Sequence, residues 1–423
     1  MASAAIERPD SRQLQGSRLD SHPARILILA TDVFTRGGIA RYTSTLASAL
    51  GRMLGPENVD LLSFFDWGQI DQRPTEFRLL GTISSRDRAN VFSRFRFLFK
   101  AASAGRRGYD LVIANHVALA PVAALLKLAL GTPYWVVCHS VEVWSGTSIS
   151  RRMALRKAER ILAISRYTAN TLEKSTGVST SRVHVLHNAV PDSFRRLLFS
   201  HASALIPAVN ARGPLLLSVC SLVKGNEFKG VDTVIRALPK ILLSQPDVQY
   251  AVVGAGELRT TLEALAAQTG VAANVVFLGE VTDEELARMY CRCDVFVLPS
   301  RGQEQEGQLG GEGFGRVYVE AALGGKPVIG SRAGGAAEAV LDGKTGLLVN
   351  PVSVDEVADA ALALLQRPEL ATQLGAEGKR WAQEVFSEDA LCSSLTELLQ
   401  DSGLAGESLR GTSDHTLWAR GES

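Results

Sequence analysis

Gly311-Glu-Gly-Phe-Gly-Arg-Val-Tyr-Val-Glu320 lies between two short apolar runs, Val295-Phe-Val-Leu298 and Val328-Ile-Gly330. A β-branched run, a glycine-rich turn, a helix-forming segment and a second β-branched run make the repeating unit of a parallel sheet covered by helices. Gly313 and Gly315 let the backbone approach a ligand closely, and the N–H groups of the helix start beyond them form an anion site. The same rhythm extends outward through the chain. Strands are predicted near 25–30, 59–63, 110–114, 134–138, 160–164 and 183–186, then near 214–220, 248–253, 274–278, 294–298, 327–330 and 346–349. The fold class is therefore α/β, with two doubly wound, Rossmann-like parallel-sheet domains.

The 423 residues suit two domains of about 200 residues each. The expected boundaries are a tail at 1–23, a first domain at 24–190, a linker at 191–213, a second domain at 214–380 and a tail at 401–423. The linker is marked by Pro191, Pro207, Gly213 and Pro214. A net charge of +1 and 46% hydrophobic residues give no basic surplus for nucleic acid. Five cysteines, an odd number at low density, fit a reducing cytosol. Cys291-Arg-Cys293 lacks a second ligand pair, so no metal is expected. The longest apolar stretch, near 117–138, is broken by Pro121, Lys127, Gly131 and Pro133 and spans no membrane, and the polar N-terminus lacks the apolar core of a signal peptide.

Glu312 and Glu320 bracket the glycine-rich turn. Glu320, inside the helix, suits vicinal hydroxyls, Glu312 suits the group beyond a phosphate held at 313–316, and together they describe a nucleotide sugar. The bland alternatives are a dipole partner and a solvated helix face. Lys229 follows the first strand of the second domain and supplies a diphosphate counter-charge, where a surface lysine is the alternative. Gly37 and Gly38 stand between a strand and a helix, where backbone amides reach a phosphate or acceptor. His139 ends the apolar strand Tyr134–Cys138, while Ser165 and Asn188 end successive strands as candidate acceptor ligands or as helix and turn caps. Gly254-Ala-Gly256 lacks the third glycine of a dinucleotide fingerprint, so no NAD site is expected.

The segment 311–320 resembles the E-x7-E motif of retaining GT-B glycosyltransferases, in particular glycosyltransferase family 4. The resemblance extends over about 25–400, through Gly37–Thr43, Cys138–Glu142, His187–Pro191, Phe228–Leu238, Val252–Glu257, Cys293–Ser300 and 325–349. It implies an interdomain cleft and a metal-independent transferase with no cofactor. The donor would be a UDP- or GDP-sugar, with a lean to GDP-mannose, and the acceptor a glycan or a polyprenyl-diphosphate-linked lipid. It makes Glu312, His139 and Lys229 catalytic, and assigns Gly37, Gly38, Lys224, Lys229, Gly313, Phe314, Gly315 and Glu320 to the nucleotide sugar. The family's arginine before Lys229 is missing, because Ser221 stands in its place; either Lys224 substitutes from the longer loop or the diphosphate is held less tightly. Gly334, Gly335 and Glu338 shape a neighbouring turn, and a final helix at 381–400 crosses back to the first domain. A non-catalytic nucleotide-sugar-binding protein, and an epimerase or hydrolase on the same fold, are the alternatives.

Between 86 and 107, Arg86, Arg88, Arg94, Arg96, Lys100, Arg106 and Arg107 interleave with Phe92, Phe95, Phe97 and Phe99. As a helix this fits a membrane surface, and equally a buried helix with solvated arginines. A cytoplasmic enzyme, peripheral on the inner face of the plasma membrane, is the matching expectation.

Overall fold

A computed structural model describes residues 22–34, 37–65, 74–84, 90–144, 147–200, 213–302 and 311–405. Two parallel sheets organise them. The first runs in the order β3-β2-β1-β4-β5-β6-β7, with β1 at Ile26–Ala30, β2 at Val59–Phe65, β3 at Arg78–Ser84, β4 at Leu111–Ala114, β5 at Tyr134–Cys138, β6 at Arg160–Ala163 and β7 at Val183–Val185. The second runs β10-β9-β8-β11-β12-β13, with β8 at Leu215–Val219, β9 at Gln249–Val253, β10 at Val275–Gly279, β11 at Val295–Val297, β12 at Val328–Ser331 and β13 at Leu347–Val349. Ile26 pairs in parallel with both Val59 and Leu111, and Leu216 with both Tyr250 and Val295. Central strands of such sheets are covered on both faces and read as unbroken apolar runs. All five residues of β1 are buried accordingly.

Helices connect the strands: α1 Gly38–Leu54, α2 Val91–Gly105, α3 Ala120–Leu130, α4 Val141–Trp144, α5 Ile149–Lys157, α6 Arg166–Thr176 and α7 Asp192–Ser200 in the first half. The second half has α8 Val231–Leu242, α9 Leu258–Gln268, α10 Asp283–Arg292, α11 Arg316–Leu323, α12 Ala336–Ala339, α13 Val354–Gln366, α14 Pro368–Val385 and α15 Glu388–Asp401. Some of their starts are written locally: at α10, Thr282 Oγ1 accepts from the Glu285 amide, and the Glu285 carboxylate accepts from the Thr282 amide. α8 buries Val234, Ile235, Leu238 and Ile241, one face at helical spacing. Each fully buried side chain of this kind contributes about 1.5–3 kcal/mol.

Strand order reverses between β1 and β4, and again between β8 and β11. Loops leaving such neighbours diverge, and ligands of doubly wound sheets bind beyond the carboxyl ends there. By packing, the chain forms two compact units, one of Met1–Val136, Met153–Arg160 and Asp389–Ser423, the other of Val137–Arg152 and Ile161–Glu388.

Three elements differ from the sequence expectation. β3 was not foreseen, because it is an edge strand with an interior Gly81, and pairing with β2 makes it. Asp192–Ser200, within the expected linker, is helical because Phe194 and Leu198 are buried. The segment 381–400 is not one helix, since α14 ends at Val385 and α15 begins at Glu388. Residues 1–21, 201–212 and 406–423, which hold most of the expected tails and part of the expected linker, lie outside the described residues, as do Arg86 and Arg88.

Candidate active site

Segments of one unit meet around the turn at 311–315. The loop after β8 ends in a single 3-10 turn, Glu227–Lys229, closed by Gly230 at φ 76°. A Cβ on Gly230 would fall 2.1 Å from the Pro299 carbonyl oxygen, so only glycine lets this loop lie against the end of β11. Lys229 is thereby delivered to Glu312. Its Nζ donates to Glu312 Oε2 at 2.7 Å, with 19% and 11% of the two side chains exposed. Ser300 Oγ lies 3.4 Å from the same oxygen. The Tyr318 hydroxyl donates to the Leu298 carbonyl at 2.6 Å, and burial, reinforced by the Glu312 charge, pushes its pKa up, so it stays a neutral donor.

The turn itself is pinned from outside. Ser165 Oγ donates to the Gly313 carbonyl at 2.6 Å, and the Gly335 amide donates to the Glu312 carbonyl at 2.8 Å. A Cβ on Gly313 would sit 2.6 Å from the His139 carbonyl oxygen, and one on Gly335 would sit 2.1 Å from the Gly313 oxygen. Backbone therefore packs on backbone here. Gly315, at φ 83°, starts α11 with no side-chain cap, so among the described residues the first amides of this helix have no capping side chain.

Glu320 is engaged differently. It is 3% exposed, accepts from Arg316 Nε at 2.8 Å on one oxygen, and accepts from the Tyr290 hydroxyl at 2.8 Å on the other. Phe314 is buried in an aromatic group with His187 and Phe386, ring centroids 5.6 and 5.2 Å away, so its ring is a packing group. His139 follows β5 and is 4% exposed. Its amide and that of Ser140 donate to Glu142, at 2.5 and 2.9 Å. Ser165 also caps α6, accepting from the Thr168 amide at 3.0 Å. Asn188 is buried, and its Oδ1 has no hydrogen-bond partner among the described residues. Glu338 accepts from the Arg166 and Tyr167 amides at 2.8 Å each and meets His187 Nε2 at 3.2 Å, so it caps α6 while Gly334 and Gly335 pack on the turn.

Lys224 is exposed, and its amide donates to Glu257 Oε2 at 3.1 Å. Ser221 is likewise exposed. Gly254 and Gly256 have a packing reason, because a Cβ at either would come within 1.8 or 2.1 Å of the backbone at Cys220 or Leu222. In the other unit, Gly37 and Gly38 start α1, and a Cβ at either would meet none of the described residues within 4 Å. A cavity of about 370 Å³ lies beside the Lys229 loop, lined among others by Leu222, Asp232, Leu258, Leu262 and Arg301, and by neither Glu312 nor Glu320.

Sequence reading missed Ser300, Tyr318, Glu142, Tyr290 and Arg316. Only Arg316 left a signal, its i,i+4 spacing to Glu320.

Residues 36–194 match the family model described as Glycosyltransferase Family 4, and residues 207–381 match Glycosyl transferases group 1. The chain is 35% identical over 266 residues to a GDP-mannose-dependent alpha-(1-6)-phosphatidylinositol monomannoside mannosyltransferase of Mycolicibacterium smegmatis, covering 62% of this chain and 68% of that protein. A protein of the same description from Mycobacterium tuberculosis is 32% identical over 295 residues, 68% of this chain and 75% of its own length. Among solved structures, Anabaena HepE in complex with UDP and glucose superposes with a TM-score of 0.73 at 20% identity, over 89% of this chain and 100% of that one, a likeness of fold. The chain thus belongs to glycosyltransferase family 4, the group 1 glycosyl transferases of GT-B type, enzymes that move a sugar from a nucleotide-sugar donor to an acceptor.

Proposed function

We propose that the enzyme transfers mannose from GDP-mannose, with retention of configuration, to a lipid-linked sugar at a membrane surface. The observation that carries the site assignment is the Lys229–Glu312 pair beside the uncapped start of α11. Lys229 and the α11 amides stabilise charge on the departing diphosphate, preorganised electrostatics of the kind that dominates catalysis. Glu312 and His139 orient the donor sugar. Glu320 keeps two of its roughly four acceptor positions for the ribose hydroxyls, since Arg316 and Tyr290 occupy the others. Gly37 and Gly38 face the donor or acceptor through their amides, Lys224 reaches the diphosphate from its exposed loop, and Asn188 offers its unpartnered oxygen to the acceptor. A phosphate oxygen of the donor takes the acceptor proton.

GDP-mannose as donor is supported by the names of both mycobacterial relatives. A membrane surface is supported by α2, where Phe92, Phe95 and Phe99 share one helical stripe at 78%, 65% and 74% exposure while Phe97 is buried. Leu125 and Leu128 of α3, which packs on α2, are also exposed. Among the described residues no helix is long and apolar enough to cross a membrane.

The test is turnover by purified protein of GDP-mannose, UDP-glucose and UDP-N-acetylglucosamine. Each is supplied with phosphatidylinositol mannoside or polyprenyl-diphosphate-sugar acceptors in vesicles, with and without chelator. The expected result is an α-linked mannosyl lipid from GDP-mannose, unaffected by chelator. Use of a UDP-sugar alone overturns the donor, a β-linked product overturns retention, and free mannose formed equally without acceptor makes the enzyme a hydrolase.

A further inference from the structure

We infer that Arg316 binds the donor's diphosphate, an inference that rests on the donor site proposed above. Arg316 is the first residue of α11 and is 7% exposed. Its Nε is fixed on Glu320 at 2.8 Å, and Tyr290 holds the opposite oxygen of that carboxylate at 2.8 Å. One edge of the guanidinium is therefore anchored. Its Nη1 and Nη2 are buried, and neither has a hydrogen-bond partner among the described residues.

Charged donors buried without acceptors destabilise a fold, and interiors rarely keep them. Holding Glu320 accounts for Nε alone. A lysine or glutamine could meet that oxygen with fewer unsatisfied donors. A guanidinium carries only donors, in a planar fork that matches two oxygens of one anion. The helix that bears Arg316 begins at Gly315 with no side-chain cap and with the positive end of its dipole, a second feature that favours an anion. Phosphate oxygens suit the guanidinium and the helix start alike. Arg316 then links the two ends of the nucleotide site, because the carboxylate that anchors it is the one assigned to the ribose.

The experiment is calorimetric titration of the full chain with GDP and UDP, and of the matching nucleosides by ligand-observed NMR, for wild type, Arg316→Gln and Arg316→Lys. The expected result is a loss of about 10- to 100-fold in diphosphate affinity for Arg316→Gln, the span of one charge-assisted hydrogen-bonding group, with nucleoside affinity retained and Arg316→Lys recovering part. Diphosphate affinity equal to wild type in Arg316→Gln overturns the inference. So does a parallel loss for nucleoside and diphosphate, which is the signature of a structural role through Glu320. If Arg316→Gln does not fold, Arg316→Lys carries the test, and an unchanged preference for diphosphate over nucleoside overturns it. Wild type binding neither diphosphate refutes the donor site itself, a separate failure.

Discussion

Removing Lys229 separates the structural from the catalytic use of its ion pair. Lys229→Met takes away the cation 2.7 Å from Glu312 and leaves a carboxylate that is 11% exposed with, among the described residues, only the Ser300 side chain, at 3.4 Å. Breaking a fully buried pair from one side costs about 3–5 kcal/mol, and the 19% exposure of Lys229 lowers this to about 2–4 kcal/mol. For a unit of roughly 150–250 residues that is a fall of about 5–15 °C in Tm. The double variant Lys229→Met/Glu312→Gln removes both charges and keeps a side-chain acceptor for Ser300, so most of the lost stability returns. Activity does not return with it. Loss of a preorganised charge at the leaving diphosphate lowers kcat by about 10²–10³, and the second substitution restores none of it. Thermal melts followed by tryptophan fluorescence, beside steady-state kinetics with saturating donor, read the two effects separately. A double variant as unstable as the single one refutes the ion-pair reasoning. A Lys229→Met enzyme with wild-type kcat refutes the catalytic assignment.

Three further outcomes follow from named contacts. Phe92→Ser/Phe95→Ser/Phe99→Ser removes exposed side chains only, so Tm holds while binding to anionic vesicles, measured by co-sedimentation, falls by about 100-fold or more if each ring buries even half its surface; unchanged binding rejects the α2 face. Burial pushes the thiols of Cys220 and Cys293 up to about 12 from 9.0. The folded state then holds protons that the unfolded state gives up, so stability is full below about pH 9 and falls toward pH 12, and a urea midpoint that does not decline there contradicts it. Gly313→Ala places a Cβ 2.6 Å from the His139 oxygen, which pushes the turn off the end of β5 at a cost of about 1–3 kcal/mol, and a variant with unaltered kcat and Tm shows that the close packing is dispensable.

Much of the sheet architecture was legible because parallel strands buried on both faces leave short continuous apolar runs. Val295-Phe-Val297 and Leu215–Val219 have no other reading once turns bound them. β3 escaped for the opposite reason. Arg78 reaches across to Asp60 with both Nε and Nη2, at 2.8 and 2.9 Å, and that cross-strand pair secures an edge strand whose own residues, half of them polar or glycine, carry no strand signal. α7 was obscured in the same way. Its buried Phe194 and Leu198 are one helical turn apart, but Pro191 before them and Pro207 beyond dominate the local composition.

Site residues divide along a similar line. The sequence singled out Glu312 and Glu320 and assigned each its own place and role, but not its partner. In the fold Glu312 meets a lysine from the β8 loop, whereas Glu320, a turn inside α11, meets Tyr290 of α10. Neither partner is near its carboxylate in sequence, and no local pattern sets the approach of α10 to α11. Gly230 decides one encounter by letting the Lys229 loop touch Pro299, and the packing of Tyr290 between Phe194 and Phe296 decides the other. A carboxylate paired with a lone ammonium near solvent can exchange that partner for a substrate at little cost, while one clamped by an arginine and a phenol in the interior cannot. In the proposed site the two glutamates therefore divide the work: Glu312 is the group assigned to change partners during turnover, and Glu320 the fixed post that holds Arg316.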